Sequence, residues 1–185
     1  MTSFFSEKEL HSLGIKKVGK NVLISKNCSL LSPEKLILGD NVRIDDFSLL
    51  SGELEIGNFV HISAYAAIFA KYGVKIGNFC GLSPRATIFS GSDDFSGHYL
   101  ISPLVPEDFT NVHAGRVVLE DFCQIGTNST VMPGITLREG SVIGAHSFVK
   151  ENTQEWGIYA GVPCKFIKNR EKRTKILGKA ILCNQ

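Results

Sequence analysis

Several features that would steer a chain toward other fates are missing here. Charge of one sign is not in excess: 20 Lys and Arg stand against 18 Asp and Glu, a formal net charge of +2. Bulk electrostatics therefore favours neither nucleic acid nor a membrane surface. No apolar run approaches the roughly 18 residues of a spanning helix, which predicts no membrane insertion. The opening residues, MTSFFSEKEL, lack a basic region followed by an apolar stretch, so no signal peptide is expected. The five cysteines are odd in number and form no CxxC pair. That argues against a disulfide framework or a zinc knuckle and for a reducing cytoplasm. No GxGxxG, P-loop or HExxH motif occurs. What remains is a chain of 185 residues, 43% of them hydrophobic, which suits one domain with a continuous core.

What is present is a period of six. Leu38, Ile44, Leu50, Ile56, Ile62 and Ile68 follow one another at that interval. An insertion around Tyr72–Val74 shifts the phase, and Ile76, Leu82 and Ile88 resume it. After a gap come Leu119, Ile125, Val131, Leu137, Ile143 and Val149, while Val18 and Ile24 read as an earlier copy. The second place is often small or turn-prone (Gly39, Asp45, Gly57, Ser83, Gly126, Gly144), as turns with positive φ require. The fifth place is small or β-branched, and Cys28, Cys80 and Cys123 occupy it, which makes them core or corner residues. Six fits neither a helix nor an alternating strand. It fits a solenoid in which each hexad makes one flat face and three hexads close a triangular coil.

The repeat breaks over 91–115, a stretch too long for an ordinary connection and rich in aromatic and aliphatic residues, so an ordered loop packed on a neighbour is expected. At the start, residues 1–14 read as a short helix with Phe4, Phe5, Leu10 and Leu13 on one side, covering the open apolar end. At the other end, Lys165–Leu182 is basic and reads as helical, with Phe166, Ile167, Ile176 and Leu177 packing. The expectation is a single domain over 1–185: a cap over 1–17, the solenoid over 18–155 with its loop, and a closing segment over 156–185.

The hexads, the loop, the run Val131-Met132-Pro133-Gly134-Ile135 and the later Ile143-Gly144-Ala145 resemble the hexapeptide-repeat acyltransferases. The segment from Trp156 through Gly161-Val162-Pro163-Cys164-Lys165 is similar to the Gly-x-Pro-Ala-Lys element that closes their helix. The likeness is greatest to the sugar O-acetyltransferases of surface-polysaccharide clusters. It implies an all-β, left-handed parallel β-helix; handedness does not follow from the repeat itself, since parallel crossovers are normally right-handed. It also implies a homotrimer with sites between subunits, acetyl-CoA as donor, no metal, and a sugar or nucleotide-sugar acceptor.

Acyl transfer needs a base for the acceptor's proton and a donor for the thioester oxyanion. The resemblance leads to a histidine after the hexad that precedes the loop, but the sequence there reads Ser90-Gly91-Ser92-Asp93-Asp94. The candidates for the base therefore stay open. Asp93 or Asp94 acts directly or orients a histidine, or else the base is His98 in the loop, His113 at its return, or His61 on an outward place of a hexad. Each has a plain alternative: a turn-capping Asp pair or an exposed histidine. Asp45-Asp46 reads as turn chemistry, and His146 as a face residue. For the cofactor, the resemblance points to backbone amides around Gly126, Gly144 and Ala145. It lines the passage with Trp156, Ala160, Gly161 and Pro163, and sets Lys150, Lys165, Lys168 and Arg170 against the phosphates. The expected reaction is acetyl transfer to a sugar hydroxyl. The alternatives are N-acetylation of an amino sugar, or a scaffold without catalysis. A γ-class carbonic anhydrase needs paired zinc histidines, which this chain lacks.

Overall fold

The computed structural model describes residues 3–183, so the outermost residues of both expected caps, 1–2 and 184–185, lie outside it. The chain winds as a parallel β-helix of three faces. The first face stacks the short strands at Leu23–Ile24, Arg43–Ile44, His61–Ile62, Gly81–Leu82, Gln124–Ile125, Val142–Ile143 and Gly157–Gly161. The second carries Thr87–Phe89, Thr130–Val131 and Phe148–Val149, and the third carries Val117–Leu119 and Thr136–Leu137. Two long strands, Leu49–Ile56 and Ala67–Ile76, bend around the corner between these two faces and join them in one sheet. Where Gly52 to Leu54 faces Ala70 to Val74, the upper coil accommodates its two extra residues, which is the phase shift visible in the sequence.

Each first-place aliphatic points inward. Leu38, Ile44, Ile62, Ile68, Ile88, Leu119, Ile125 and Val149 are completely buried, and rungs pair in register, as Ile44 with Ile62 and Ile62 with Leu82. No single coil hides these side chains; stacking does. Truncation of a central rung, Ile62→Ala, is expected to cost about 2–5 kcal/mol, read from the midpoint of chemical unfolding. Cys80 and Cys123 are buried as the fifth place demands, and burial pushes the thiol of half-buried Cys28 up to about 12.

The turn chemistry is placed differently from the expectation. Positive φ falls on the fourth place of the hexad, at Asn41, Phe47, Phe59, Tyr65, Phe79, Arg85, Phe122, Asn128 and His146. Bulky residues resist that conformation. Here they form ladders along two corners: Phe59 stacks on Phe79 at 4.8 Å, Phe79 on Phe122 at 5.1 Å, and Phe47 on Tyr65 at 5.1 Å. The second-place glycines serve close approach instead. A Cβ on Gly57 would lie 2.9 Å from the Gly77 carbonyl carbon, and one on Gly126 would lie 2.6 Å from the Ala145 nitrogen.

The caps also differ in detail. Helix α1 spans Glu7–Ser12 and opens with a capping box in which Ser6 and Glu9 satisfy each other's amides, and Leu10 is buried against the first coil. At the far end, Cys164–Asn169 is not helical but a strand that folds back antiparallel on Gly157–Gly161. Gly161 pairs with Cys164 there, so Val162 and Pro163 form a tight two-residue turn that no helix could contain. Helix α2 is confined to Arg173–Cys183. Phe166, Ile167, Ile176 and Leu177, expected as packing residues, are exposed on the described chain. The inner contact of α2 is Gly178, whose missing side chain lets the helix lie on Phe122 and Phe79.

Candidate functional site

The groove beneath the loop is built on the outward positions of the second face. Phe69 and Phe89 each follow an inward isoleucine, point away from the core, and stack at 5.1 Å with their planes 4° apart. Thr130, Met132 and Phe148 continue this floor on higher coils. The loop leaves and returns through an antiparallel pair, Gly91 with Ala114 and Ser92 with His113. Ser90, fully buried, fixes that root: its hydroxyl donates to the Phe69 carbonyl and accepts from the Tyr72 amide, both at 2.9 Å. Gly91 leaves room for the Tyr72 ring, whose edge a Cβ there would meet at 2.6 Å. Loop and face border an open cavity of about 1080 Å³, lined by Asp93, Phe95, Val105 and Glu107 of the loop and by Lys71 of the long strand. Stacked rings below and a few charged groups around the rim suit a flat, partly charged ligand.

The two loop aspartates have separate tasks. Asp93 is exposed and lines the cavity. Asp94 does not line it; its carboxylate accepts from the Ser96 amide at 2.6 Å and from the Asn111 side-chain amide at 3.0 Å. These bonds hold the Asp94 carboxyl below the ordinary carboxylate range, so this tie across the loop is present at neutral pH and is lost only as the pH falls through that depressed value. Asn111→Ala removes one of its bonds and is expected to raise the acceptor KM by about 2- to 10-fold with little change in kcat, checked by steady-state kinetics.

The histidines scatter. His98 and His113 are exposed in the loop and at its root, outside the cavity lining. His61 is exposed on the first face, its Nε2 2.7 Å from Asp45, which also takes Arg43 at 2.7 Å. Burial pushes the Asp45 carboxyl up, but the bonds from His61 and Arg43 outweigh it and leave it below the ordinary range. His146 sits on a corner against Asn128. None of these histidines stands beside Asp93 on the cavity wall.

The cofactor candidates divide as well. Lys150, Gly161, Pro163, Lys165 and Lys168 are exposed, and Ala160 and Ala145 lie at the surface of the last coils. The amides of Gly126 and Gly144 donate to the carbonyls of Ile143 and Tyr159, so the coil's own ladder uses them. Trp156, expected on the passage, is instead buried at 2%, and ends the aromatic ladder against Phe122. Arg170, expected on phosphates, donates to the carbonyls of Phe122 at 2.7 Å and Gly140 at 3.0 Å and lies over the Trp156 ring. Both close the end of the solenoid, because the helix's last carbonyls need a donor and its last ring needs a cover. Phe69, Phe89, Met132 and Phe148 are not singled out by the motifs; their signal is an outward place beside an inward aliphatic, directly after one for Phe69, Phe89 and Met132 and directly before one for Phe148.

The architecture is a stacked parallel solenoid with a cavity beneath the loop on one face. A family model described as the hexapeptide repeat of succinyl-transferase matches residues 116–150. The dTDP-4-amino-4,6-dideoxy-D-glucose acyltransferase of Escherichia coli is 37% identical over 92% of this chain and 91% of its own. A protein of Escherichia coli K12 described as a lipopolysaccharide biosynthesis O-acetyl transferase, WbbJ, is 30% identical over 80% of this chain and 75% of its own. Among solved structures, AntD, an N-acyltransferase from Bacillus cereus in complex with dTDP and 3-hydroxybutyryl-CoA, superposes with a TM-score of 0.97 at 41% identity, covering 100% of this chain and 98% of that one. A further AntD complex holds dTDP-4-amino-4,6-dideoxyglucose and coenzyme A, and its crystallised variants alter one serine and one aspartate ten positions apart. This chain belongs to the hexapeptide-repeat acyltransferases.

Proposed function

We propose that this protein transfers an acyl group from acyl-CoA to the amino group of a nucleotide-linked amino sugar. One observation carries the reading: a carboxylate, Asp93, stands on the wall of a cavity floored by stacked aromatic rings. The likeness to AntD supports an amine rather than a hydroxyl as acceptor. Its two altered positions match one pair in this chain, since Ser83 and Asp93 are the serine and aspartate ten residues apart. Asp93 accepts a hydrogen bond from the sugar amine and takes its proton as the nitrogen attacks the thioester carbonyl. The C–N bond forms, the C–S bond breaks, and the thiolate leaves and regains a proton.

Ser83 follows the first-face strand Gly81–Leu82, and Asp93 follows the second-face strand Thr87–Phe89 and the loop root Gly91–Ser92. With the two residues on different faces, a site that uses both is one formed between copies of the chain, which supports the reading of a homotrimer with sites between subunits. Phe95, Leu100, Ile101 and Leu104, exposed on the loop, suit burial against a neighbour. Light scattering is expected to give three chain masses; a monomer that retains full turnover contradicts the shared site.

Exposed Lys150, Lys165 and Lys168 suit the phosphates of the acyl-CoA, with acetyl as the default acyl group. The second reading, O-acetylation of a sugar hydroxyl for surface polysaccharide, is favoured by the likeness to WbbJ. CoA release decides between them. The account expects kcat/KM for dTDP-4-amino-4,6-dideoxyglucose to exceed that for the corresponding 4-hydroxy sugar nucleotide by at least about 100-fold. Equal or reversed preference would overturn the amine reading.

A further inference from the structure

One polar arrangement on the first face is tied to Ser83 and is not explained by the solenoid. Gln124 pairs in register with Gly81 on the coil below. A Cβ on Gly81 would lie 2.4 Å from the Gln124 Oε1 and 3.2 Å from its Nε2, so the amide group rests flat over the glycine and reaches past it. Its Nε2 donates to the Ser83 hydroxyl oxygen at 3.1 Å and toward the Ile125 carbonyl at 3.5 Å. That carbonyl also accepts the Ser83 amide at 2.9 Å. A carbonyl accepts only, so it sets which end of the Gln124 amide faces Ser83. Backbone and side chain of Ser83 are thus held by the coil above, and a side chain on residue 81 would break the arrangement.

We propose that Gln124 is a positioning residue for acyl transfer: it occupies one lone pair of the Ser83 hydroxyl, so that this hydroxyl donates its proton outward to the reacting groups. The proposal rests on the reading that Ser83 stands at the acyl-transfer site. A hydroxyl with no internal donor turns freely and presents either a proton or a lone pair. Fixed from behind by an amide N–H, it is pre-set as a donor, the polarity needed where negative charge develops on the thioester oxygen. Gly81 is the second part of the device, since it leaves the space in which the amide lies.

The test compares Gln124→Leu, Gln124→Glu, Gly81→Ala, Ser83→Ala and the double variant Ser83→Ala with Gln124→Leu, each checked first for unchanged thermal unfolding and assembly. Gln124→Leu is expected to lower kcat by roughly tenfold, the scale of one hydrogen bond, with the acyl-CoA KM unchanged within about twofold. Gly81→Ala is expected to reproduce that loss although both polar side chains remain. Gln124→Glu keeps the shape but offers an acceptor; the ratio of its kcat to that of wild type at the same pH is expected to be lowest at neutral pH and to rise toward one in acid, as protonation of the introduced carboxyl restores a donor, although both enzymes lose activity there as Asp93 and the acceptor amine take up protons. In the double variant the loss is expected to equal that of Ser83→Ala alone. If Ser83→Ala turns over normally, the site reading falls and this proposal with it. If Ser83→Ala is impaired while Gln124→Glu behaves as wild type across pH, or the two losses multiply, the role of Gln124 alone is overturned.

Discussion

Replacement of Asp93 by asparagine is expected to lower kcat by about 100-fold or more, because the amine loses its proton acceptor while the shape of the cavity is kept. The loss should appear equally in kcat/KM, the mark of an interaction made in the transition state. Asp94→Asn provides the contrast. That carboxylate ties Ser96 and Asn111 within the loop and does not line the cavity, so its removal should act mainly through KM. The two neighbours therefore separate chemistry from loop order. Comparable kcat losses for both would mean that the loop's conformation, and not the Asp93 carboxylate, limits the reaction.

The second large effect lies in the scaffold. Gly126→Val places a Cβ 2.6 Å from the Ala145 nitrogen and 2.7 Å from the Gly144 carbonyl carbon, both backbone atoms of the coil above. Neither can move without parting the Gly126 to Ile143 hydrogen bond. A loss above about 4 kcal/mol is expected, at the upper end for single substitutions, seen as a fall in the thermal midpoint. Gly144→Ala is the control. Its Cβ would approach the Ala160 methyl at 3.1 Å, a contact that a small shift relieves, and about 1 kcal/mol or less is expected. Because Met132 and Phe148 belong to these upper coils, Gly126→Val should weaken ligand binding in the cavity along with stability.

The inward half of this molecule is written plainly in its sequence. Ile44, Ile62 and Leu82 are spaced by the geometry of the coil, and apolar burial leaves them little choice. The corners are less readable: Phe59, Phe79 and Arg85 hold positive φ, yet nothing in a phenylalanine or an arginine favours that conformation locally. It is tolerated because rings from successive coils stack, and successive coils are distant in sequence; Phe79 meets Phe122 across the whole loop. The contacts of Trp156 and Arg170 within the chain were hidden for the same reason, their partners being set by the end of the stack and not by their neighbours in the sequence. The cavity followed this pattern. The loop's departure from the repeat coincides with the cavity, and two aspartates stand side by side in it, but which one faces the cavity depends on Asn111, seventeen residues on. Ser83 carried no mark at all among the other small second-place residues; only Gln124 folded across Gly81 distinguishes it.

A crystal structure with dTDP-4-amino-4,6-dideoxyglucose and coenzyme A bound tests the central claim most directly. The account predicts the nucleotide sugar beneath the loop, its amino nitrogen within about 3 Å of the Asp93 carboxylate, and the CoA thiol approaching from the same side. A ligand seated on another face, or an amino group turned away from Asp93 toward a histidine, would contradict it.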